Sequence, residues 1–191
     1  MPPLPTASRS KRTTRLAFLV GASEGIGASL AARLVATGTE VVVLSRSAAK
    51  LASAAAEVER HRRSPGQRIL TRQVDITDDE ATRLTVDALV AELGTPDLVV
   101  NTAGYSRPGW LGELPDEHLR GMVEVNLLGT IHVCRAVLPH LVAAGGGTVV
   151  TTSSMAGLTG IFGQSVYCAT KFGVVGFSEA LSREVRRDGI R

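Results

Sequence analysis

Several residue types are scarce in this chain, and each scarcity excludes a class of protein. The 191 residues include two cysteines, Cys134 and Cys168, which are too few for a disulfide framework and are not spaced as metal ligands. No apolar run reaches the roughly 18 residues of a transmembrane helix, and the run 16–20 is too short for a signal sequence. The sequence therefore predicts a soluble, cytoplasmic protein without a transmembrane segment or a bound metal.

Positive charge is also scarce outside the N-terminus. The net charge is +3, but Arg9, Lys11, Arg12 and Arg15 lie in the first fifteen residues, and without them it would be −1. A nucleic-acid surface needs basic residues clustered on one folded face, so no nucleic-acid partner is predicted. Residues 1–14 are predicted to be a disordered basic leader. The alternative is a targeting role or weak attraction to a membrane surface.

Tyrosine and lysine are scarce too, which makes their spacing in one stretch informative. The chain has two tyrosines and three lysines, yet Tyr167 and Lys171 are four residues apart. In a helix that begins near Ser165 their Cβ atoms would be about 5–6 Å apart. A free tyrosine titrates near 10, and a nearby positive charge favours the phenolate, so this pair is a candidate proton donor and acceptor. The alternative is an ordinary pair on a helix surface.

Three glycines lie in a turn between an apolar run and a helical stretch. The run 15–20 is followed by GASEGIG at 21–27 and by a helical pattern over 28–37. This order is typical of a dinucleotide site, because glycines let a pyrophosphate approach the backbone and a helix N-terminus offers free N–H groups. The residues predicted to bind the cofactor here are Gly21, Ser23, Gly25, Ile26 and Gly27.

A second predicted strand, 40–45, ends where the ribose of a dinucleotide is expected. An NAD-binding domain carries an acidic residue at this position for the ribose 2′-hydroxyl. Ser45 and Arg46 stand here instead. A hydroxyl and a guanidinium suit a 2′-phosphate, so the predicted cofactor is NADP(H). Alternatively, Arg46 only begins the next helix, predicted over 48–63, in solvent.

The end of the third predicted strand, 68–73, carries two further candidates. Asp75 and Ile76 follow it, and Asp75 is predicted to accept a hydrogen bond from the adenine amine. The alternative for Asp75 is a role in the turn or in capping. Thr77 is predicted to cap the next helix, in a capping box with Glu80.

The fourth predicted strand, 97–100, leads into a small-residue turn. Asn101 is predicted to bridge strand ends through its amide, while Ala103 and Gly104 let the backbone approach a ligand. The loop that follows, 105–115, holds Trp110, a candidate wall of a substrate pocket. All three turn residues are predicted to contact the cofactor.

Two polar residues near the fifth predicted strand complete the candidate site. Asn126 lies among apolar residues in a helix predicted over 116–144, and it needs a hydrogen-bond partner if it is buried. The alternative is an exposed asparagine. Ser154 follows the strand 148–152, on the same sheet edge as the glycine turn. Alternating strands and helices with short connections predict an α/β fold over 15–191, a doubly wound parallel sheet of the Rossmann type.

These motifs together resemble the short-chain dehydrogenase/reductase family over 16–191. Within it, the stretch 155–185 is most similar to the 3-ketodihydrosphingosine reductases. The resemblance implies that Tyr167 is the general acid, that Ser154 hydrogen-bonds the carbonyl oxygen, and that Lys171 binds the nicotinamide ribose and favours the phenolate. It also implies that Asn126 holds a water for proton resupply, and that the helices carrying Asn126 and Tyr167 pair in a homo-oligomer.

The resemblance also sets expectations about departures and about the end of the chain. Glu24 stands where the family often has a basic residue, which leaves Arg46 with most of the selectivity for a 2′-phosphate. Ile190 and Arg191 are predicted to begin a sixth strand, and family members continue with that strand, a substrate lid and a seventh strand. We therefore expect the natural product to be longer, and the 191-residue chain to bind cofactor weakly, to aggregate readily and to show little turnover.

The predicted function is NADPH-dependent reduction of a ketone, with a lipid-like 3-keto compound such as 3-ketodihydrosphingosine as the substrate. A small-molecule ketone or alcohol is thus the predicted partner. Two alternatives stay open. One is a reductase of another substrate class, such as an acyl thioester ketone, a steroid or a small ketone, and the other is an inactive nucleotide-binding fragment.

Overall fold

One parallel sheet forms the centre of the molecule. The computed structural model describes residues 14–191, so the predicted leader falls almost entirely outside the described residues. The strand order is β3-β2-β1-β4-β5, and every described pairing between strands is parallel. The strands are β1 Leu16–Val20, β2 Glu40–Ser45, β3 Ile69–Gln73, β4 Leu98–Asn101 and β5 Thr148–Thr151. The prediction of a doubly wound Rossmann-type sheet is confirmed.

Helices connect the strands and cover both faces of the sheet. The α-helices of the described residues are α1 Gly25–Ala36, α2 Ala48–Glu59, α3 Asp79–Leu93, α4 Asp116–Val123, α5 Gly129–Ala143 and α6 Ser165–Glu184. A π-helical turn, Glu124–Leu128, joins α4 to α5, and short 3₁₀ turns occupy Leu111–Glu113, Met155–Gly157 and Arg186–Asp188.

The central strand β1 is buried on both faces, which explains why its sequence is an unbroken apolar run. Phe18 and its alternate neighbours face a core formed with α3 and α5. Leu19 and Ala17 face a second core, formed with α1 and α2. Successive side chains of a strand point to opposite faces, and burying a side chain of the size of Phe18 or Leu19 contributes about 1.5–3 kcal/mol.

Two helix boundaries differ from the predictions. α2 ends at Glu59 and not at Arg63, because Val58 is the last side chain of the helix that is buried. The N-cap of α3 is Asp78 and not Thr77: the Asp78 carboxylate accepts a hydrogen bond from the Ala81 N–H at 2.9 Å. Aspartate is somewhat preferred over threonine as an N-cap residue.

The helix predicted over 116–144 is interrupted in the middle. The turn Glu124–Leu128 winds more widely than an α-helix, and it separates α4 from α5. Single π-helical turns inside α-helices occur frequently at functional sites. This one contains Asn126, which is fully buried.

By length and mean hydropathy, one stretch of the described residues, Asp116–Ala143, could cross a membrane. A search for unbroken apolar runs does not find it, because Arg120 and Glu124 interrupt the stretch. In the fold its second half, α5, packs against α3 beside the sheet. The stretch is therefore accounted for as a core helix of the α/β fold.

Residues 190 and 191 lie beside β5, as predicted. Ile190 forms a parallel bridge with Gly147. The Arg191 N–H donates to the Gly147 carbonyl at 3.0 Å, and the Arg191 carbonyl accepts from the Val149 N–H at 2.7 Å. These residues occupy the position expected for the start of a sixth parallel strand.

Candidate active site

A cleft of about 540 Å³ opens at the carboxyl edge of the sheet. β1 lies between β2 and β4, so the strand order reverses at this point of the sheet. A groove opens at the carboxyl edge where the order reverses. The predicted cofactor residues that line the cleft are Gly21, Ser23, Gly25, Ile26, Gly27, Ser45, Arg46, Asp75, Ile76, Ala103 and Gly104.

Two glycines of the turn after β1 have positive φ angles for different reasons. Gly21 has a φ of +72°, and a Cβ there would lie 2.4 Å from the Ala103 backbone nitrogen. This glycine is needed because the turn packs against the end of β4. Gly25 has a φ of +58°, but a Cβ there would meet no atom within 4 Å. Its open side lies along the cleft, where the absence of a side chain leaves room for a ligand.

The N-terminus of α1 points free hydrogen-bond donors at the cleft. Glu24 is the N-cap residue, but its side chain makes no capping hydrogen bond, and the first turn of α1 carries no acidic residue. The orphan N–H groups and the positive end of the helix dipole therefore remain available to an anion. Together with the open backbone at Gly25, they fit the pyrophosphate of a dinucleotide.

The far corner of the cleft carries hydroxyl groups and positive charge. Ser23 Oγ donates to Ser45 Oγ at 2.9 Å, which joins the glycine turn to the end of β2. Arg46 is exposed, and its guanidinium has no ion-pair partner within residues 14–191. No carboxylate from β2 enters this corner, in agreement with the sequence.

Asp75 lines the cleft but uses one carboxylate oxygen in its own turn. Its Oδ1 accepts from the Thr77 N–H at 3.0 Å and from the Thr77 hydroxyl at 2.9 Å. The turn role considered from the sequence is therefore present in the structure. Contact of the remaining oxygen with an adenine amine stays a prediction.

Asn101 does not line the cleft. It is buried at the end of β4, where its Nδ2 donates to Thr130 Oγ1 at 3.0 Å and its Oδ1 accepts from the Ala103 N–H at 3.1 Å. The amide thus joins β4 to α5 and shapes the turn at Ala103, and does not bridge strand ends as the sequence predicted. Its side chain is not among those that could touch a ligand in the cleft.

Tyr167 and Lys171 lie one turn apart on α6, with the ammonium over the ring. Lys171 Nζ is 5.7 Å from the centre of the Tyr167 ring and donates to the Thr152 carbonyl at 2.8 Å. The lysine is only 4% exposed, and this burial lowers its pKa below the usual value. Tyr167 is half-buried. The predicted helical spacing of this pair is confirmed.

Ser154 is held beside α6 by a short 3₁₀ turn. It is the N-cap of Met155–Gly157, and its Oγ accepts from the Ala156 N–H at 3.2 Å. That turn packs against α6, since a Cβ on Gly157 would lie 2.7 Å from the Lys171 carbonyl oxygen. The hydroxyl of Ser154 keeps its own proton available for donation.

Asn126 joins three parts of the site. Its Nδ2 donates to the Tyr105 carbonyl at 2.9 Å and to Thr170 Oγ1 at 3.2 Å, and its Oδ1 accepts from the Tyr105 N–H at 2.9 Å. The alternative of an exposed asparagine is wrong. These contacts make Asn126 a positioning residue for the loop after β4 and for α6, while its water-holding role stays a prediction.

Sequence reasoning missed two contributors to this arrangement. Thr152 acts through its backbone carbonyl, which no residue type indicates, so no sequence signal could have found it. Thr170 accepts from Asn126 and donates to the Tyr167 carbonyl at 2.8 Å. Its position directly before Lys171 was a usable signal, because a buried hydroxyl in a helix needs a partner.

The irregular segments that follow β4 and β5 contact each other. The Gly109 N–H donates to the Gly163 carbonyl at 2.9 Å, and the rings of Trp110 and Phe162 meet edge to face at 5.1 Å. The segments expose a set of large apolar side chains: Trp110, Leu111, Met155, Leu158, Ile161 and Phe162. We call these six side chains the apolar rim.

The chain belongs to the short-chain dehydrogenase/reductase family of oxidoreductases. The family model described as short chain dehydrogenase matches residues 15–191. Carbonyl reductase family member 4 of Xenopus tropicalis is 34% identical over 178 residues, which cover 93% of this chain and 72% of that protein.

Solved structures agree on the fold and differ in the nucleotide bound. Actinorhodin polyketide ketoreductase with NADPH is 34% identical, with a TM-score of 0.86 over 93% of this chain and 67% of that one. NAD⁺-bound xylitol dehydrogenase is 27% identical, with a TM-score of 0.88 over 95% of this chain and 69% of that one. The family is therefore established, and the choice between the two nucleotides has to come from the site.

Proposed function

We propose that this protein is an NADP(H)-dependent reductase that transfers hydride to a ketone, with a lipid-like 3-keto compound such as 3-ketodihydrosphingosine as substrate. The observation that carries the reaction type is the Tyr167–Lys171 pair on α6, whose ammonium donates to the carbonyl of Thr152, a residue of the cleft that fits a dinucleotide. Ser154 caps the turn Met155–Gly157, which packs against the same helix. Reduction of a carbonyl needs a proton donor and a hydrogen-bond donor at one oxygen atom, and these side chains supply both.

The residues of the chain perform the proton chemistry of this reaction. A bound nicotinamide nucleotide supplies the hydride to the carbonyl carbon. The carbonyl oxygen gains negative charge as the C–O double bond breaks, and the Ser154 hydroxyl donates a hydrogen bond to it. The Tyr167 hydroxyl delivers the proton that completes the alcohol. Lys171 then stabilises the tyrosinate, and its ammonium also binds the nicotinamide ribose.

The preference for NADP(H) rests on the corner of the cleft at the end of β2. Arg46 is exposed there, and the Ser23 and Ser45 hydroxyls lie 2.9 Å apart beside it. A 2′-phosphate gains charge-assisted hydrogen bonds from such a set, whereas the position after β2 carries no carboxylate to pair with a ribose 2′-hydroxyl.

The apolar rim supports a lipid-like substrate. Phe162 is 82% exposed and Trp110 is 63% exposed, although their rings contact each other. Exposed aromatic side chains that cluster beside a site mark a surface that is covered when a ligand binds. A long alkyl chain attached to the reacting ketone would cover this surface.

A reductase of acyl thioester ketones is the second candidate. The observation in its favour is the 34% identity to actinorhodin polyketide ketoreductase, whose structure was solved with NADPH. Such a substrate would also use Ser154, Tyr167 and Lys171, so only the substrate distinguishes the candidates. Steroids and small ketones are weaker candidates, because nothing in the site favours them.

Pairing of two or more copies through the helices that carry Asn126 and Tyr167 is also proposed. Leu128 and Phe172, on these elements, are 42% and 46% exposed. Large apolar side chains on neighbouring helix faces are suited to a symmetric interface. Sedimentation of the purified protein should give a dimer or tetramer, and Phe172→Glu should shift it to monomer. A monomeric parent would contradict this proposal.

The function is tested by measuring oxidation of NADPH and NADH with a panel of ketones. NADPH should support more turnover than NADH, and turnover should be highest with 3-ketodihydrosphingosine, lower with a 3-oxoacyl thioester and lowest with a small ketone. Arg46→Ala should weaken NADPH binding about tenfold or more and leave NADH binding unchanged. A preference for NADH in the parent would contradict the cofactor, and highest turnover with the thioester would favour the second candidate.

A further inference from the structure

A second basic residue lies in the corner of the cleft assigned to the 2′-phosphate. Lys50, on the first turn of α2, lines the cleft together with Arg46. Its Nζ lies 2.7 Å from Glu24 Oε1, so the pair links α2 to the glycine turn. Arg46 has no such partner within the described residues. Before a ligand enters, Lys50 is therefore paired with a carboxylate, whereas Arg46 is not.

The Glu24–Lys50 ion pair is weak enough to exchange partners. The Lys50 side chain is 54% exposed and that of Glu24 is 66% exposed. Exposed pairs of this kind add little to stability, because water screens both charges. A phosphate monoester carries a charge of about −1.5 to −2 at pH 7 and attracts an ammonium more strongly than one carboxylate does. Release of Lys50 from Glu24 therefore costs little.

Other groups in the corner favour an anion at the same place. Ser47 caps α2 through its Oγ, which accepts from the Lys50 N–H at 3.3 Å, and the first turn of α2 carries no acidic residue. The positive end of the α2 dipole adds to the charges of Arg46 and Lys50. Among the described residues that line the cleft after β1 and β2, Glu24 is the acidic one, and its charge repels an anion.

We infer that Lys50 is a specificity-determining residue that leaves Glu24 to bind the 2′-phosphate of NADP(H), and that Glu24 moderates this affinity. The inference rests on the proposed cofactor. In the free protein the charge of Glu24 is neutralised by Lys50. On binding, Lys50 Nζ exchanges the carboxylate of Glu24 for the phosphate oxygens.

The test is calorimetric titration of NADPH and NADH into the parent, Lys50→Met and Glu24→Gln. NADH lacks only the 2′-phosphate, so it reports any general damage to the cleft. Lys50→Met should weaken NADPH binding about three- to tenfold and change NADH binding by less than about twofold. Glu24→Gln should strengthen NADPH binding about two- to fivefold with the same small effect on NADH.

Salt dependence and a matched variant make the test specific. The affinity for NADPH should fall less steeply with rising salt in Lys50→Met than in the parent, because the variant has fewer ion pairs to phosphate for salt to screen. Arg60→Met removes one positive charge from the other end of α2, where Arg60 pairs with Glu57. It should leave both affinities unchanged. Titration with 2′,5′-ADP and 5′-AMP should show the same contrast without the nicotinamide.

Three outcomes would overturn the role of Lys50. Equal losses for NADPH and NADH in Lys50→Met would show a structural role, and unchanged NADPH binding would show no role. An equal effect of Arg60→Met would show a diffuse effect of net charge. A parent that binds NADH more tightly than NADPH would instead overturn the proposed cofactor, so the two failures are distinguishable.

Discussion

The two halves of the candidate site are built in different ways. On the cofactor side, buried strands fix a tight backbone, and Gly21 and Gly25 allow close approach of chain or ligand. On the substrate side, irregular segments after β4 and β5 carry the apolar rim, much of it exposed. The cofactor side is built on buried strands of the core, whereas the apolar rim of the substrate side is exposed at the surface. Changes in the two halves should therefore have different consequences for stability and for activity.

The largest expected effect comes from a change that leaves both halves folded. Tyr167→Phe removes one hydroxyl and little volume, so nucleotide binding should be retained. Loss of the general acid should reduce turnover by about 10²- to 10⁴-fold. Single-turnover measurements with saturating NADPH would show this directly. Turnover equal to that of the parent would exclude Tyr167 from the reaction.

A pair of glycine substitutions would sharpen the comparison within the cofactor half. Gly21→Ala places a methyl group against the Ala103 backbone in a left-handed conformation, and should destabilise the fold by about 2–4 kcal/mol. Gly25→Ala has open space and should cost only the conformational strain, about 1–2 kcal/mol, yet it should abolish nucleotide binding. Denaturant unfolding and NADPH titration measure the two effects. Equal destabilisation by both changes would contradict the distinction.

Substitutions in the apolar rim should change activity without changing the stability of the fold. Replacing both Trp110 and Phe162 with alanine should raise KM about tenfold when the substrate is 3-ketodihydrosphingosine, because truncated aromatic contacts cost about 1–2 kcal/mol. With a small ketone as substrate, KM should stay within about twofold. Leu84→Ala, at an exposed leucine of α3, is the matched control. Equal changes for both ketones would show that the rim does not bind the alkyl chain.

The smallest expected effect concerns the charge of Lys171. Burial lowers its pKa in the folded protein, so the unfolded chain binds more protons between the folded and the unfolded pKa values. In that window this residue makes stability rise with pH. The cost of burying the ammonium is fully present below the lowered pKa and is relieved as the pH rises from that pKa towards the unfolded value.

The variant Lys171→Met lacks this contribution and serves as the reference. The free energy of unfolding of the parent relative to the variant should therefore increase between pH 7 and the usual lysine pKa, near 10.4. Urea unfolding at several pH values would measure the difference. A difference that does not change with pH would contradict the assigned pKa direction.

Much of the fold and of the candidate site follows from short stretches of sequence. The apolar run of β1, the glycine turn and the four-residue spacing of Tyr167 and Lys171 express local rules, because strand burial, turn geometry and helical periodicity involve near neighbours. The boundaries of α2 and α3 were less predictable. They depend on which side chain is the last to be buried and on which of two adjacent residues caps the helix.

The sequence by itself determined the parallel sheet, the placement of its carboxyl edge, the glycine turn and the helical spacing of Tyr167 and Lys171. Only the tertiary structure decided that Asn126 holds Tyr105, that Lys171 bonds the Thr152 carbonyl and that Lys50 pairs with Glu24. Each of these contacts joins residues 19 to 26 positions apart, and two of the three use a backbone atom. Periodicity has no information about such pairs, because they form only when separate elements pack against one another.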